Sequence, residues 1–295
     1  MEAAGGLASP GRQTSSIIQM ELPTLYAWRG QRLRALAAGK KAMAAYLLFA
    51  AGLVDWQRAW LEKEPLPPPD SPAPLAVDWQ NRPLAPTSGM ETGYWRAALD
   101  DLLASCADKL AANRAANLTK KIAAIDEAAV LALLAGDITL TGTDGAPFLW
   151  AALSLYWAQW ARARPLAVRE LVGAARDLCP LCGAAPVAAV VAAHPHDGLR
   201  YLRCSLCESD WRLVRAQCSA CGQSGKLRYW SVDEEKGIHS ESCGDCMSHL
   251  KILEQNNNPG LEPLADDLAS LSLDAFMEEQ GFARSGLNPF LFSEH

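Results

Sequence analysis

Basic residues are outnumbered, apolar stretches of membrane length are missing and histidines are scarce. Each shortage removes a class of function. Lys and Arg total 27 against 33 Asp and Glu, giving a formal net charge of −6 and a pI of about 5.4. Non-specific nucleic-acid binding rests on neutralising phosphates with Lys and Arg, so this balance speaks against it. The longest helical apolar runs, Ala42 to Val54 and Phe148 to Trp160, hold about 13 residues each, whereas a bilayer span takes roughly 20. The start, MEAAGGLASPGRQTSS, lacks the basic and apolar regions of a secretory signal, and residues 1–21 read as a disordered leader. A cytoplasmic protein is expected, and there thiols stay reduced. Of the five histidines, His194 and His196 flank a proline in a loop-like stretch, and His239, His249 and His295 have no evident partner. Neither a glycine-rich phosphate loop nor a nucleophile–base pair stands out.

What is present divides the chain in two. Its 295 residues allow roughly two domains. From residue 22 to 176 the pattern is helical. Leu25, Leu33 and Leu36 suggest a helix ending near Gly39, and Met43, Leu47, Ala50, Val54 and Leu61 trace one face of a second. Eight prolines between Pro65 and Pro86 exclude regular helix and predict a long surface connection. Helical spacing returns in a stripe from Leu99 to Leu110 that includes Cys106, read as a small buried thiol without chemistry. A further helix is expected from Ile122 to Leu134, and Pro147 should open a nearly all-apolar one to Trp160. Near Asp177 the helical pattern gives way to cysteine pairs and short alternating stretches. Beyond them, at 256–295, Leu264, Leu268, Leu271 and Ala275 mark one last helix, with Asp266 and Asp267 suiting its N-terminal dipole and Gly281 its stop.

Eight of the nine cysteines form four C-x-x-C pairs: Cys179/Cys182, Cys204/Cys207, Cys218/Cys221 and Cys243/Cys246. Adding 39 to each cysteine of the first two pairs gives one of the last two, so a 39-residue unit occurs twice, over 177–216 and 217–255. One tight turn bearing C-x-x-C supplies two thiolates, and two such turns close a tetrahedral shell around a metal ion. Two metal ions per chain, iron or zinc, are therefore expected on these eight cysteines. Gly183 and Gly222 follow the first pair of each unit and ease the turn, whereas Glu208 and Met247 hold the matching places after the second pairs. LRYL, WRLVRA and KLRYW read as strands. The fold class expected is multi-domain α plus small β: an N-terminal helical bundle, two tandem rubredoxin-like or zinc-ribbon modules and a C-terminal helix. A shell of four protein sulfurs leaves no open position for hydrolytic chemistry.

Arg200, Tyr201, Arg203, Trp211, Arg212, Arg215, Arg228, Tyr229 and Trp230 line these modules. Residues 179 to 250 nevertheless carry seven Lys/Arg and eight Asp/Glu. Either the aromatics pack the thin modules while the arginines bridge to neighbours, or the set forms a protein-binding face. On the second reading strand alternation leaves one face free, with Arg203, Trp211, Arg212 and Arg215 as partner contacts.

The stretches CPLCG, GLRYLRCSLCESDWRLVRAQCSACGQSGKLRYWSVD and ESCGDCMSHLKIL, with PFLWAALSLYWAQWA upstream and ADDLASLSLDA and GFARSGLNPFLF downstream, resemble the formate dehydrogenase accessory protein family, FdhE. The resemblance runs from about Leu22 to Phe292. It implies a cytoplasmic maturation factor rather than an enzyme, one that binds the catalytic subunit of a formate dehydrogenase and carries rubredoxin-like sites with iron as an occupant. Homo-oligomers are compatible with it, and a membrane span is not expected. The competing readings are a zinc-ribbon nucleic-acid binder and a rubredoxin-like electron-transfer or thiol-redox protein.

Overall fold

Helix α1 (Leu22–Gly39) buries Leu22, Leu25, Tyr26, Leu33 and Ala37 on one face, with Arg29 in the middle of that apolar stripe. A short 3-10 turn at Lys41–Met43 leads into α2 (Ala44–Lys63), and the two helices pack as a hairpin. Helices α3 (Gly93–Ala107), α4 (Ala112–Ala123), α5 (Glu127–Leu134) and α6 (Gly142–Arg162) complete the helical part. The computed structural model describes residues 16–71, 73–78, 81–88, 93–107, 112–168, 177–193, 198–232 and 236–291. Among them, no helix is long and apolar enough to cross a membrane. Helix α6 is the centre: it is buried without a break from Gly145 to Ala158 and packs against α2, α3, α4 and α5. Each fully buried large apolar side chain there contributes about 1.5–3 kcal/mol of transfer free energy.

The strands are β1 (Ile17–Gln19), β2 (Leu75–Val77), β3 (Leu166–Val168), β4 (Pro186–Val191), β5 (Arg200–Cys204), β6 (Ser209–Arg212), β7 (Leu227–Trp230), β8 (Ile238–Cys243) and β9 (Ser248–Glu254). Helices α7 (Pro263–Ala269) and α8 (Leu271–Glu279) follow, then β10 (Ala283–Arg284). Shifting β4, β5 and β6 by 39 residues lands on β7, β8 and β9, so each unit is a three-stranded antiparallel meander. The two meanders form one sheet of order β1-β6-β5-β4-β9-β8-β7. They join through the parallel pair β4·β9, and β10 adds in parallel to the earlier part of the same β9 edge. Helix α7 packs between α1 and β4 and so ties the helical part to the sheet.

Several expectations are corrected. Part of the expected leader is ordered: Ile17–Gln19 pairs antiparallel with β6. The proline-rich segment is no mere surface connection, because Leu75, Val77 and Leu84 are buried and β2 pairs with β3. The helix expected from Ile122 to Leu134 is two helices, since Asp126 caps α5 by accepting from Ala129 N–H at 2.9 Å. Pro147 lies inside α6 rather than at its start. The last helix is broken at Ser270, whose hydroxyl donates to the Asp266 carbonyl at 2.7 Å. WRLVRA is strand only to Arg212. Cys106 is half-buried against the core, while Leu110, His194, His196, Phe292 and His295 lie outside the described residues.

Candidate metal centres

Each C-x-x-C turn folds its chain back on itself, and the two units do so with the same bonds. Cys179 N–H donates to the Ala184 carbonyl at 2.9 Å and Gly183 N–H to the Cys179 carbonyl at 2.8 Å. Thirty-nine residues on, Cys218 N–H donates to Gln223 at 2.8 Å and Gly222 N–H to Cys218 at 3.1 Å. Reversal needs a left-handed residue after the second cysteine of each pair. Gly183 (φ 78°) and Gly222 (φ 74°) supply it without a Cβ penalty, and Glu208 (φ 58°) and Met247 (φ 55°) adopt it with one.

The turns bring the sulfurs together as the spacing predicts: Cys179, Cys182, Cys204 and Cys207 form one group, and Cys218, Cys221, Cys243 and Cys246 another. Within each group all sulfurs lie within 4.8 Å of one another. Cys179 and Cys207 are 3.6 Å apart and Cys182 and Cys204 3.4 Å; in the second group the corresponding distances are 3.8 Å and 3.6 Å. A tetrahedron with metal–sulfur bonds of about 2.3 Å has edges of about 3.8 Å. A disulfide, at about 2.05 Å, is far shorter. Backbone N–H groups of Leu206 and Cys207 point at Cys204 Sγ at 3.4 and 3.3 Å, and Ala220 N–H at Cys218 Sγ at 3.4 Å, which orients the ligands.

The electrostatics fit a cation. Burial pushes the Cys182 and Cys204 thiols well up. At Cys207 burial acts in the same direction, but hydrogen bonds from the other three thiols outweigh it and hold this sulfur well below the ordinary thiol range. A buried cluster of four sulfurs in mutual hydrogen-bond contact is a donor set that a dication would deprotonate and complete. Both groups could each hold a metal ion.

The first centre is fastened to the helical part. Trp150 Nε1–H donates to the Ser205 carbonyl at 3.0 Å, and Arg162 reaches the carbonyls of Cys207 and Glu208, each at 3.0 Å. Leu84 N–H donates to Leu181, inside the first turn, at 2.9 Å, and Trp157 Nε1–H holds the Leu84 carbonyl at 2.8 Å. Glu208 receives both terminal nitrogens of Arg29, at 2.6 and 2.7 Å, while Arg29 Nε–H donates to Glu262 at 3.0 Å. The Arg29 guanidinium, with two carboxylates against it, is held above its ordinary range although burial opposes this. Sequence reasoning missed this network. Its one visible signal was a charged residue where the turn favours glycine.

Two of the expected partner contacts are internal. Trp211 is buried between Leu202 and Ile17 on the neighbouring strands, and Arg203 is buried in an ion pair with Asp210 at 2.5 and 2.8 Å. For Arg203 the expectation fails because β5 is not half-exposed: all five of its residues are buried. On β6 burial does alternate, and Trp211 lies on its inward face. Arg200 likewise turns inward, reaching Glu241 on β8 at 2.8 and 2.9 Å and so bridging the two units over β4 and β9. Arg212 is half-buried, whereas Arg215, Arg228 and Tyr229 are exposed.

Family models described as the FdhE N-terminal, central and C-terminal domains match residues 15–172, 178–215 and 216–291. The chain belongs to the FdhE family. It is 46% identical over 276 residues to the FdhE homolog of Edwardsiella ictaluri, covering 92% of this chain and 89% of that protein. With the FdhE of Escherichia coli the identity is 42% over 295 residues, covering 97% and 95%. The crystal structure of the Pseudomonas aeruginosa FdhE superposes with a TM-score of 0.75 at 33% identity, covering 94% of this chain and 98% of that one. FdhE membership makes this a formate dehydrogenase accessory protein with helices, a small sheet and two four-cysteine groups.

Proposed function

We propose that this FdhE chain is a cytoplasmic maturation factor that binds the catalytic subunit of a formate dehydrogenase and carries two metal ions, iron or zinc, on its eight paired cysteines. The carrying observation is the donor set: both groups are four protein sulfurs at tetrahedral spacing. Such a shell leaves no place for substrate, so it shapes a binding surface rather than turning over a reactant. Zinc and iron both accept four thiolates.

The contact surface proposed is the exposed remainder of the basic and aromatic set. Arg215 and Tyr229 line one groove together with His239 and Glu254, and Arg212 lies on the neighbouring strand β6. Arg and Tyr are residue types that often dominate interface energies. The test is capture of the isolated catalytic subunit by the metal-loaded chain, with metal content and melting temperature measured beside it. Arg215→Glu should weaken capture while leaving both controls unchanged. Tyr229→Ala should weaken capture at unchanged metal content but with a lowered melting temperature, because the Tyr229 hydroxyl donates to Glu241 at 2.8 Å. Unchanged affinity in both variants moves the surface elsewhere, and failure of the wild-type chain to capture the subunit overturns the proposed function.

A further inference from the structure

The two centres share one pattern and sit in different surroundings. In the first, Cys179, Cys182, Cys204 and Cys207 are each 0–1% exposed and belong to the main hydrophobic core. Its turns are fastened from outside by Trp150 and Arg162 of α6, Arg29 of α1 and Leu84 of the proline-rich segment. In the second, Cys246 is exposed and Cys221 half-buried, and Cys218 and Cys243 lie outside the core cluster. Its turns are held by Gln217 and Lys226 of the same unit and by Ala283 N–H from β10. Met247, beside Cys246, is exposed, whereas its counterpart Glu208 is locked into the Arg29 pair. A groove of about 370 Å³ lined by Lys226, Arg228 and Gly244 opens next to this centre. The groove near the first centre touches Cys182, which is only 1% exposed.

We propose that the two centres have different jobs: the first is a permanent staple between the helices and the sheet, and the second holds an exchangeable thiophilic metal that solvent and competing ligands reach past Cys246. This rests on the reading that both groups bind metal. Ligand substitution at a closed tetrahedral site needs an incoming donor to reach the ion as one sulfur leaves. At the second centre Cys246 can be that sulfur: its bond to the metal breaks, the bond to the incoming thiolate or chelator forms, and the freed sulfur takes a proton from water. At the first centre the same step requires the turns to come away from α1, α6 and Leu84. Exchange there is limited by local opening of core structure.

The experiment uses the full chain loaded with zinc, its metal content measured first. A chromogenic chelator in excess is then added and release is followed in time. Two phases of one ion per chain are expected, with rates differing by about tenfold or more. Alkylation by iodoacetamide during the fast phase, mapped by peptide mass, should mark Cys246 first and leave Cys179, Cys182, Cys204 and Cys207 unmodified. Cys246→Ala should remove the fast phase and leave the slow one at its wild-type rate. Two bound ions released in a single phase, or early labelling of the first four cysteines, overturns the division of labour while leaving metal binding intact. Fewer than two ions per chain overturns the reading beneath it and the inference with it.

Discussion

Replacing Arg29 by Met should show how firmly the first centre is built into the helical part. Arg29 is the guanidinium that both Glu208 and Glu262 face, and the three side chains are 1%, 2% and 0% exposed. Removing one partner of a buried ion pair costs about 3–5 kcal/mol, because the other charge is left uncompensated. Two carboxylates depend on this one cation. The nearest other ion-pair contact of Glu208 is Arg203 Nη1 at 3.9 Å, beyond hydrogen-bond reach, while Nε and Nη2 of that guanidinium hold Asp210. A loss of about 4 kcal/mol is expected. Glu208→Ala should cost about 3 kcal/mol and retain the left-handed strain, whereas Glu208→Gly relieves that strain and should be about 1 kcal/mol more stable than the alanine variant. In the double variant Arg29→Met/Glu208→Gly an unpaired carboxylate has gone, so its loss should fall short of the summed singles by about 2–3 kcal/mol. Urea unfolding of the metal-loaded protein, followed by tryptophan fluorescence at fixed free metal, measures all four. Additivity within about 0.5 kcal/mol, or equal stability of the alanine and glycine variants, would refute the reasoning.

Three further outcomes are expected. Gly286→Ala places a Cβ 2.6 Å from the Val187 carbonyl oxygen and 2.8 Å from Leu250 Cδ1, so thermal melting should show a loss of about 1–3 kcal/mol. His249 is held neutral down to about pH 4: burial lowers it from 6.5, Arg284 and Lys251 reinforce the shift, and Asp274 opposes it. The unfolded chain binds this proton more readily, so stability should fall as pH drops from about 6.5 towards 4, and a His249→Gln variant should lose that part of the slope in urea titrations. Trp157→Phe leaves the Leu84 carbonyl without its indole donor. It should cost about 1–3 kcal/mol by the same unfolding measurement and speed proteolysis of the proline-rich segment.

The two four-cysteine groups were the most legible part of the sequence, because paired cysteines at a repeated spacing encode which sulfurs come together. Helices α1 and α2 were legible because apolar residues recur at the helical period, and α6 as a nearly unbroken apolar run behind Pro147. What hid elsewhere was pairing between distant parts of the chain. Nothing local to Ile17 says that it will lie opposite Trp211, and nothing local to Leu84 says that it will brace a cysteine turn. Alternation in β5 predicted one wet face, and long-range pairs such as Arg200 with Glu241 dried the whole strand instead. Asp126 and Ser270 show the opposite limit. Both interrupt a continuous apolar pattern through short side-chain bonds to the backbone that periodicity alone does not register.

The join between the two meanders belongs to a kind of assembly that has no natural end. The first strand of one unit, β4, accepts the last strand of the other, β9, and two different edges meeting in this way leave the same two edges free for the next unit. By the 39-residue correspondence, β7 repeats β4 and β6 repeats β9, so a chain of such units could lengthen at both sides. Each further joint would need one edge of the β6 kind and one of the β7 kind, and β1 occupies the outer edge of β6. Three residues ahead of the first helix thus act as a chain terminator for the sheet. Shortening the protein past Gln19 would uncover an edge shaped like the one that β4 already takes up, turning a closed pair into a unit able to polymerise.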